Sequence, residues 1–198
     1  MEGGEKQPSV ELPKPEQLNK LFGYHLPNVP QTMIMVGGSM PVPLSEDYAA
    51  SIVAHHILCG AFGSRINLRL REELGYTYGV RTACFEQREC SYWVCYCAVE
   101  RGKTKEALEE VKELLALQGN KGPLTKEEVE SAKRLLPINS LVRLQSTENL
   151  GRKLGQFSAL QLPLEKWPQY VNAGANTTYA DVERVAIEHY HPSKLTFV

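Results

Sequence analysis

The chain has 198 residues, enough for one sizeable core, and its 42% apolar and 23% charged content is typical of a globular domain. The formal net charge of −1 provides no field to attract a polyanion, so nucleic acid is not an expected partner. No apolar run approaches the roughly 20 residues that cross a bilayer. The N-terminal stretch is polar rather than signal-peptide-like, which favours a cytoplasmic or organellar matrix location.

The first part of the chain offers almost nothing to bury, so residues 1–26 are predicted to form a flexible tail or linker. A buried strand is predicted at residues 31–36, ending at a Gly-Gly pair. Ser45 is a candidate N-cap for an amphipathic helix. Ser64 is predicted to cap a second, arginine-bearing helix, which ends at Gly75.

Two strands are predicted at residues 77–86 and 91–100, joined as an antiparallel hairpin. Further helices are expected from Thr104, from a capping box at Thr125, around residues 150–160 and from a second capping box at Thr178. Pro137 should kink or break the long helix that begins at Thr125. Residues 195–198 are predicted as a last strand.

The resulting order of elements is β, α, α, β, β, α, α, α, α, β. Strands that meet through both a hairpin and helical crossovers favour an α+β fold. We therefore expect a mostly antiparallel sheet with helices packed on one face.

Five cysteines are present, and none forms a C-x-x-C pair. Cys95 and Cys97 alternate along the predicted strand and therefore share one sheet face. They could form a soft-metal or redox pair, or be two small buried side chains of a core strand. The second interpretation is favoured because free cysteine is among the most buried residue types.

The histidines offer no obvious metal site. His55 and His56 are adjacent, so on a helix they point about 100° apart and cannot both face one ion. His189 and His191 lie near a predicted helix C-terminus, where structural roles are again favoured. The chain contains no H-E-x-x-H, H-x-x-E-H or G-x-S-x-G motif, so we expect no metal in it and no autonomous hydrolase chemistry.

One corner of the chain does place reactive groups together. Arg69 precedes Gly75 and Tyr76 follows it, so a guanidinium fork and a phenol could reach a common ligand such as a developing oxyanion. The structural alternative is that Arg69 pairs with Glu73 at i,i+4 and Tyr76 merely begins a strand. Tyr78, two residues further on, is a weaker candidate for substrate contact.

The corner and its surroundings carry a family resemblance. V-P-Q-T at residues 29–32, G-A-F-G-S-R-I at 60–66, L-R-L-R-E-E-L-G-Y-T-Y-G at 68–79 and the closing residues 191–198 resemble the non-catalytic half of M16 metallopeptidases, the family of pitrilysin, insulinase and mitochondrial processing peptidase. The likeness covers roughly residues 27–198. It implies a single C-terminal-type, non-zinc domain with the LuxS/MPP-like metallohydrolase fold.

In that family two homologous domains face each other across a chamber, and only one carries H-x-x-E-H and zinc. The resemblance implies that Arg69 and Tyr76 assist catalysis by contacting the substrate carbonyl, with Tyr78 binding substrate. It also implies no cofactor in this chain, zinc in a partner domain or subunit, a peptide substrate, and no activity of the chain alone.

Two alternatives stay open. The chain could be one half of a two-domain clamshell or a separate subunit of a heterodimer, and in isolation it could form a homo-oligomer. A different class of function is a catalytically inactive M16-like structural or assembly subunit. The presence of both Arg69 and Tyr76 favours the peptidase role.

Overall fold

A computed structural model describes residues 20–43, 45–119 and 122–198, so the first 19 residues of the predicted tail lie outside the described part. The sheet consists of β1 (Lys20–Leu21), β2 (Gln31–Met40), β3 (Arg81–Phe85), β4 (Ser91–Glu100) and β5 (Thr196–Phe197). Their spatial order is β1-β5-β2-β4-β3. Only β1 and β5 pair in parallel, and the other neighbours are antiparallel. The predicted mostly antiparallel sheet is confirmed.

Seven α-helices are described: α1 (Tyr48–His55), α2 (Arg65–Asn67), α3 (Thr104–Leu115), α4 (Lys126–Arg143), α5 (Thr147–Ala159), α6 (Trp167–Val171) and α7 (Tyr179–Tyr190). Both α1 and α2 continue as wider π-helical turns, over His56–Gly60 and Leu68–Glu73. Both predicted capping boxes, at Thr125 and Thr178, are present. None of the described helices is long and apolar enough to cross a membrane.

The sheet has one covered and one open face. Along β4, Trp93, Cys95, Cys97 and Val99 are buried, whereas the side chains between them are less so. Helices α3 and α7 contact β2, and α3 also contacts β4, which covers the buried side. On the other side Met33, Met35, Phe85 and Tyr92 are exposed. Helices packed on one face were therefore predicted correctly, and the second face lacks a helical cover in the described structure.

Strand β2 is longer than predicted, because Gly37 and Gly38 lie within it. A Cβ on Gly37 would stand 2.6 Å from the carbonyl oxygen of Trp93, and one on Gly38 would stand 2.5 Å from Cδ2 of Leu195. The two glycines thus allow close approach of neighbouring elements instead of ending the strand.

This close approach gives a stability prediction. Gly37→Ala should lower the free energy of unfolding by about 1–3 kcal/mol. The added methyl group would clash with the Trp93 carbonyl oxygen, which can move only if the hydrogen-bonded pairing of β2 and β4 is distorted. Gly63→Ala is the matched control, since a Cβ there meets nothing within 4 Å. Urea unfolding of both variants checks the difference. Equal stability of the two variants would contradict the packing argument.

Two other boundaries differ from prediction, and a predicted helix break is absent. Helix α1 begins after Asp47, and the Ser45 hydroxyl instead donates to the Val42 carbonyl at 2.7 Å. Strand β3 begins only at Arg81, and Thr77 forms a single bridge to Val99. Pro137 lies inside α4 without breaking it, and the first half of that helix is packed into the core.

Candidate functional site

The predicted corner forms from a local helix-to-turn transition. The π-helical turn after α2 ends at Glu73, and Gly75 has a φ of 65°, which glycine adopts without strain. The Tyr76 N–H then donates to the Leu70 carbonyl at 2.8 Å, so the chain turns back along the helix. The corner is therefore a turn held by a backbone hydrogen bond and by the positive φ of its glycine.

The Arg69 side chain is held by two carboxylates. Its Nε and Nη2 donate to the two oxygens of Glu110 on α3 at 2.7 and 2.8 Å, and Nη1 donates to Glu73 at 2.9 Å. The hydrogen bond to Glu110, followed by that to Glu73, raises the pKa of Arg69 above its ordinary value. The i,i+4 pair considered from the sequence is present. Two of the five guanidinium N–H groups are not used in these bonds.

Tyr76 packs against the core, and the ammonium of Lys103 lies 5.6 Å from its ring centroid. Within the described residues, no hydrogen bond joins its hydroxyl to Arg69. The structure therefore places the two candidate residues on either side of the same turn, without a hydrogen bond between their described side chains.

Tyr78 lies in a different setting. It is 92% exposed and lines a cleft of about 680 Å³ at one end of the open sheet face. Arg71, two residues after Arg69, lines the same cleft, as does Arg81 at the start of β3. Sequence reasoning missed both arginines. Arg81 could have been found, because side chains alternate between the two faces of its predicted strand and a charged residue is expected on the open face.

A buried asparagine holds two walls of this cleft. The Asn67 Nδ2 donates to the Phe62 carbonyl at 2.6 Å, and its Oδ1 accepts from the Val80 N–H at 2.9 Å. The Arg71 guanidinium lies 4.6 Å from the Phe62 ring centroid. The cleft therefore has a fixed backbone frame below exposed aromatic and cationic side chains.

A second cleft, of about 610 Å³, contains the nearly buried carboxylate of Glu86. Tyr48 donates to it at 2.6 Å, Gln156 donates at 2.7 Å, and Tyr170 donates as well. Burial, reinforced by the Glu86 charge, raises the pKa of both tyrosines above the ordinary value. The ammonium of Lys153 on α5 also lies 3.6 Å from this carboxylate. The neutral donors from α1, α5 and α6, together with this cation, join those helices to the end of β3.

The buried His55 contacts a cysteine and a threonine. Its Nδ1 lies 3.4 Å from the Cys59 Sγ, and its Nε2 lies 3.0 Å from the Thr82 hydroxyl. Burial lowers the pKa of His55 to about 4 and raises that of Cys59 well above its ordinary value. Both groups are thus neutral near pH 7, which is unsuited to a thiolate nucleophile.

The remaining candidates have structural surroundings. Cys95 and Cys97 are 3% and 5% exposed in the core strand, and burial raises the pKa of Cys97 to about 12. Burial also lowers the pKa of His189, while His191 contacts Ser193 through Nδ1 at 2.8 Å. Over residues 20–43, 45–119 and 122–198, no group of three His, Cys, Asp or Glu side chains could hold a metal ion.

These features define an α+β domain with one open sheet face and a cationic, aromatic cleft at its end. A family profile described as the peptidase M16 inactive domain matches residues 2–136. The chain therefore belongs to this family. No curated protein matches the sequence.

Solved structures show the same fold. The peptidase M16 inactive domain from Pseudomonas fluorescens is 25% identical with a TM-score of 0.71, over 85% of this chain and 40% of that one. A protease from Helicobacter pylori is 16% identical with a TM-score of 0.72, over 90% and 42%. A chain of complex III2 from Candida albicans, with Inz-5 bound, is 11% identical with a TM-score of 0.65, over 86% and 42%. The chain thus spans less than half the length of these structures.

Proposed function

We propose that this chain is the non-zinc half of an M16 zinc metallopeptidase, which hydrolyses peptide bonds only when paired with a domain or subunit carrying H-x-x-E-H. The observation that carries the proposal is the open sheet face in a chain of the M16 inactive-domain family. Met33, Met35, Phe85 and Tyr92 leave apolar surface exposed on that face. Exposed contiguous apolar surface of this kind marks interaction sites, here a chamber wall facing the partner and its substrate.

The described residues do not fit zinc, since they offer no cluster of three ligands. In this proposal zinc belongs to the partner domain, where it would activate water for attack on the scissile carbonyl. This chain contributes hydrogen-bond donors and the chamber wall.

Arg69 and Tyr76 are the proposed donors. Negative charge develops on the carbonyl oxygen as water adds, and a preorganised donor stabilises it more strongly than the neutral substrate. Glu110 and Glu73 fix the Arg69 fork while leaving two N–H groups for a ligand. Tyr78, exposed in the cleft beside the corner, is proposed to contact substrate.

One observation favours a second candidate function. The single charge of Arg69 is already matched by two carboxylates, so the three side chains together carry a net charge of −1. Such a group is less suited to attracting an oxyanion. This would fit a catalytically inactive M16-like structural or assembly subunit, in which Arg69 joins α3 to the corner.

Reconstitution tests the proposal. The isolated chain should not cleave a quenched fluorescent peptide, and cleavage should appear when an M16 domain carrying H-x-x-E-H is added, because water activation needs the zinc site of the partner. Chelator should abolish the activity of the mixture. Chelator-resistant cleavage by the chain alone would contradict the proposal, as would a partner whose activity does not rise on addition of the chain.

A further inference from the structure

The cleft at the end of the open sheet face has a charge that differs from that of the chain. Arg71 and Arg81 line it, and none of its described lining residues is an aspartate or glutamate. The whole sequence nevertheless has a formal net charge of −1. Positive charge is therefore concentrated in this concave surface.

The two arginines retain unused hydrogen-bonding capacity. Arg81 is exposed and makes no ion pair with a described residue. Arg71 forms an exposed ion pair with Glu72, in which its Nε lies 3.4 Å from Oε1, and its two Nη groups take no part in that contact. A guanidinium is a planar fork that binds a carboxylate through two parallel hydrogen bonds. The cleft thus offers a carboxylate the Nη groups of Arg71, which the contact with Glu72 does not use, and the guanidinium of Arg81.

Apolar surface surrounds these cations. Phe62 is 70% exposed and stacks below the Arg71 guanidinium, Tyr78 is almost fully exposed, and Met33 is 54% exposed on β2. Tyr96 lies beside Arg81 in the register of β3 and β4. A ligand that fits must combine a carboxylate with large apolar groups, and the cleft volume of about 680 Å³ accommodates several side chains.

We infer that this cleft selects peptide substrates in which an acidic side chain neighbours a large apolar one, with Arg71 and Arg81 binding the carboxylate and Phe62, Tyr78 and Met33 packing on the apolar neighbour. The inference rests on the proposed function, since it specifies the substrate class of the same chamber. It goes further by assigning sequence preference to residues outside the Arg69 and Tyr76 corner.

The test uses the isolated 198-residue chain and a pair of short fluorescent peptides, acetylated and amidated at their ends. One contains Phe-Glu repeats, and the other has glutamine in place of glutamate. The acidic peptide should bind about fivefold to tenfold more tightly at low salt, and raising the salt concentration should reduce this preference. Fluorescence anisotropy measures both affinities.

Three variants locate the effect. Arg71→Gln and Arg81→Gln should each reduce the preference, and the double variant should abolish it while keeping the thermal unfolding temperature. Arg134→Gln, at an exposed arginine of α4 that does not line the cleft, is the control and should behave like the original chain. Equal binding of the two peptides, or an unchanged preference in the double variant, would overturn the inference.

A third peptide tests whether the cleft binds a side-chain carboxylate or the C-terminal carboxylate of a peptide. It carries glutamine throughout but has a free C-terminus, and it should bind no better than the amidated glutamine peptide. Tighter binding would overturn the assignment to an acidic side chain. Because none of these measurements needs the zinc-bearing partner, failure of the preference is distinguishable from failure of reconstituted activity.

Discussion

Replacing Arg69 with alanine is expected to lower kcat of the reconstituted peptidase about 10²-fold, and Tyr76→Phe is expected to do the same to a lesser extent. The physical reason is that each residue would donate to an oxygen whose charge exists mainly in the transition state, so kcat falls more than KM changes. Steady-state kinetics on a quenched fluorescent peptide measures both parameters.

Stability measurements separate this outcome from misfolding. Arg69 pairs with Glu110 and Glu73 in a partly buried position, with 18% of its side chain exposed, so losing these charge-assisted hydrogen bonds should cost about 1–3 kcal/mol while the fold is retained. Arg69→Lys is the matched control, because it retains the charge but loses the planar fork. Near-original kinetics in both Arg69→Ala and Tyr76→Phe would remove the catalytic role and favour the structural-subunit alternative.

The features that sequence predicted well are encoded by neighbouring residues. The run of aromatic, β-branched and small apolar residues predicted β4 with both ends correct, from Ser91 to Glu100. The capping boxes at Thr125 and Thr178 depend on side chains three positions apart. Such signals need no knowledge of the tertiary structure.

The features that sequence missed depend on residues far apart in the chain. Asn67 binds the Val80 N–H, which helps to explain why the ladder of β3 starts later than the β-forming residues suggest. Glu110, 41 positions from Arg69, supplies its bidentate partner. Hydrophobic patterns and secondary-structure propensities depend on neighbouring residues, so they cannot predict such long-range contacts.

The same limit applies to the candidate site. The resemblance carried by residues 68–79 predicted roles for Arg69 and Tyr76, ranked Tyr78 as a weaker candidate and gave no role to Arg71. The structure separates the pairs, since Arg71 and Tyr78 line the cleft on the open face and Arg69 is directed at α3. The roles of Arg69 and Tyr76 therefore stay a prediction, and the contacts that separate them from Arg71 and Tyr78 depend on tertiary packing.

The largest stability effect is expected at Arg65, which is 3% exposed. Its Nε and Nη2 each donate to one oxygen of Glu128 at 2.7 Å. Nη1 and Nη2 also donate to the carbonyls of Gly122 and Pro123, at 2.7 and 2.8 Å. This side chain therefore joins the start of α2 to the N-terminus of α4, where Glu128 completes the capping box of Thr125.

Arg65→Ala should lower the free energy of unfolding by about 3–5 kcal/mol, because it removes the cationic partner of a partly buried carboxylate and the donor of two carbonyls. Urea unfolding at neutral pH measures the change. Arg184→Ala is the matched control. Arg184 also binds a carboxylate, that of Asp47, with both Nη atoms, and Nη1 contacts Glu188 as well, but its side chain is 51% exposed, so its loss should cost at most about 1 kcal/mol. An Arg65 variant no less stable than the Arg184 variant would contradict the argument.

The pH dependence of stability gives a second readout of the same contact. Burial opposes ionisation of Glu128, but hydrogen bonds from Arg65 and Thr125 outweigh it and lower its pKa below the ordinary value of 4.5. A pKa lower in the folded state contributes stability that is complete above the unfolded pKa and is lost as pH falls through the folded one. Arg65→Met removes the main stabilising donor, so the pKa of Glu128 should rise and this acid-dependent loss should shrink between neutral pH and the acid transition. An acid dependence as steep as that of the original chain would show that Arg65 does not control the ionisation of Glu128.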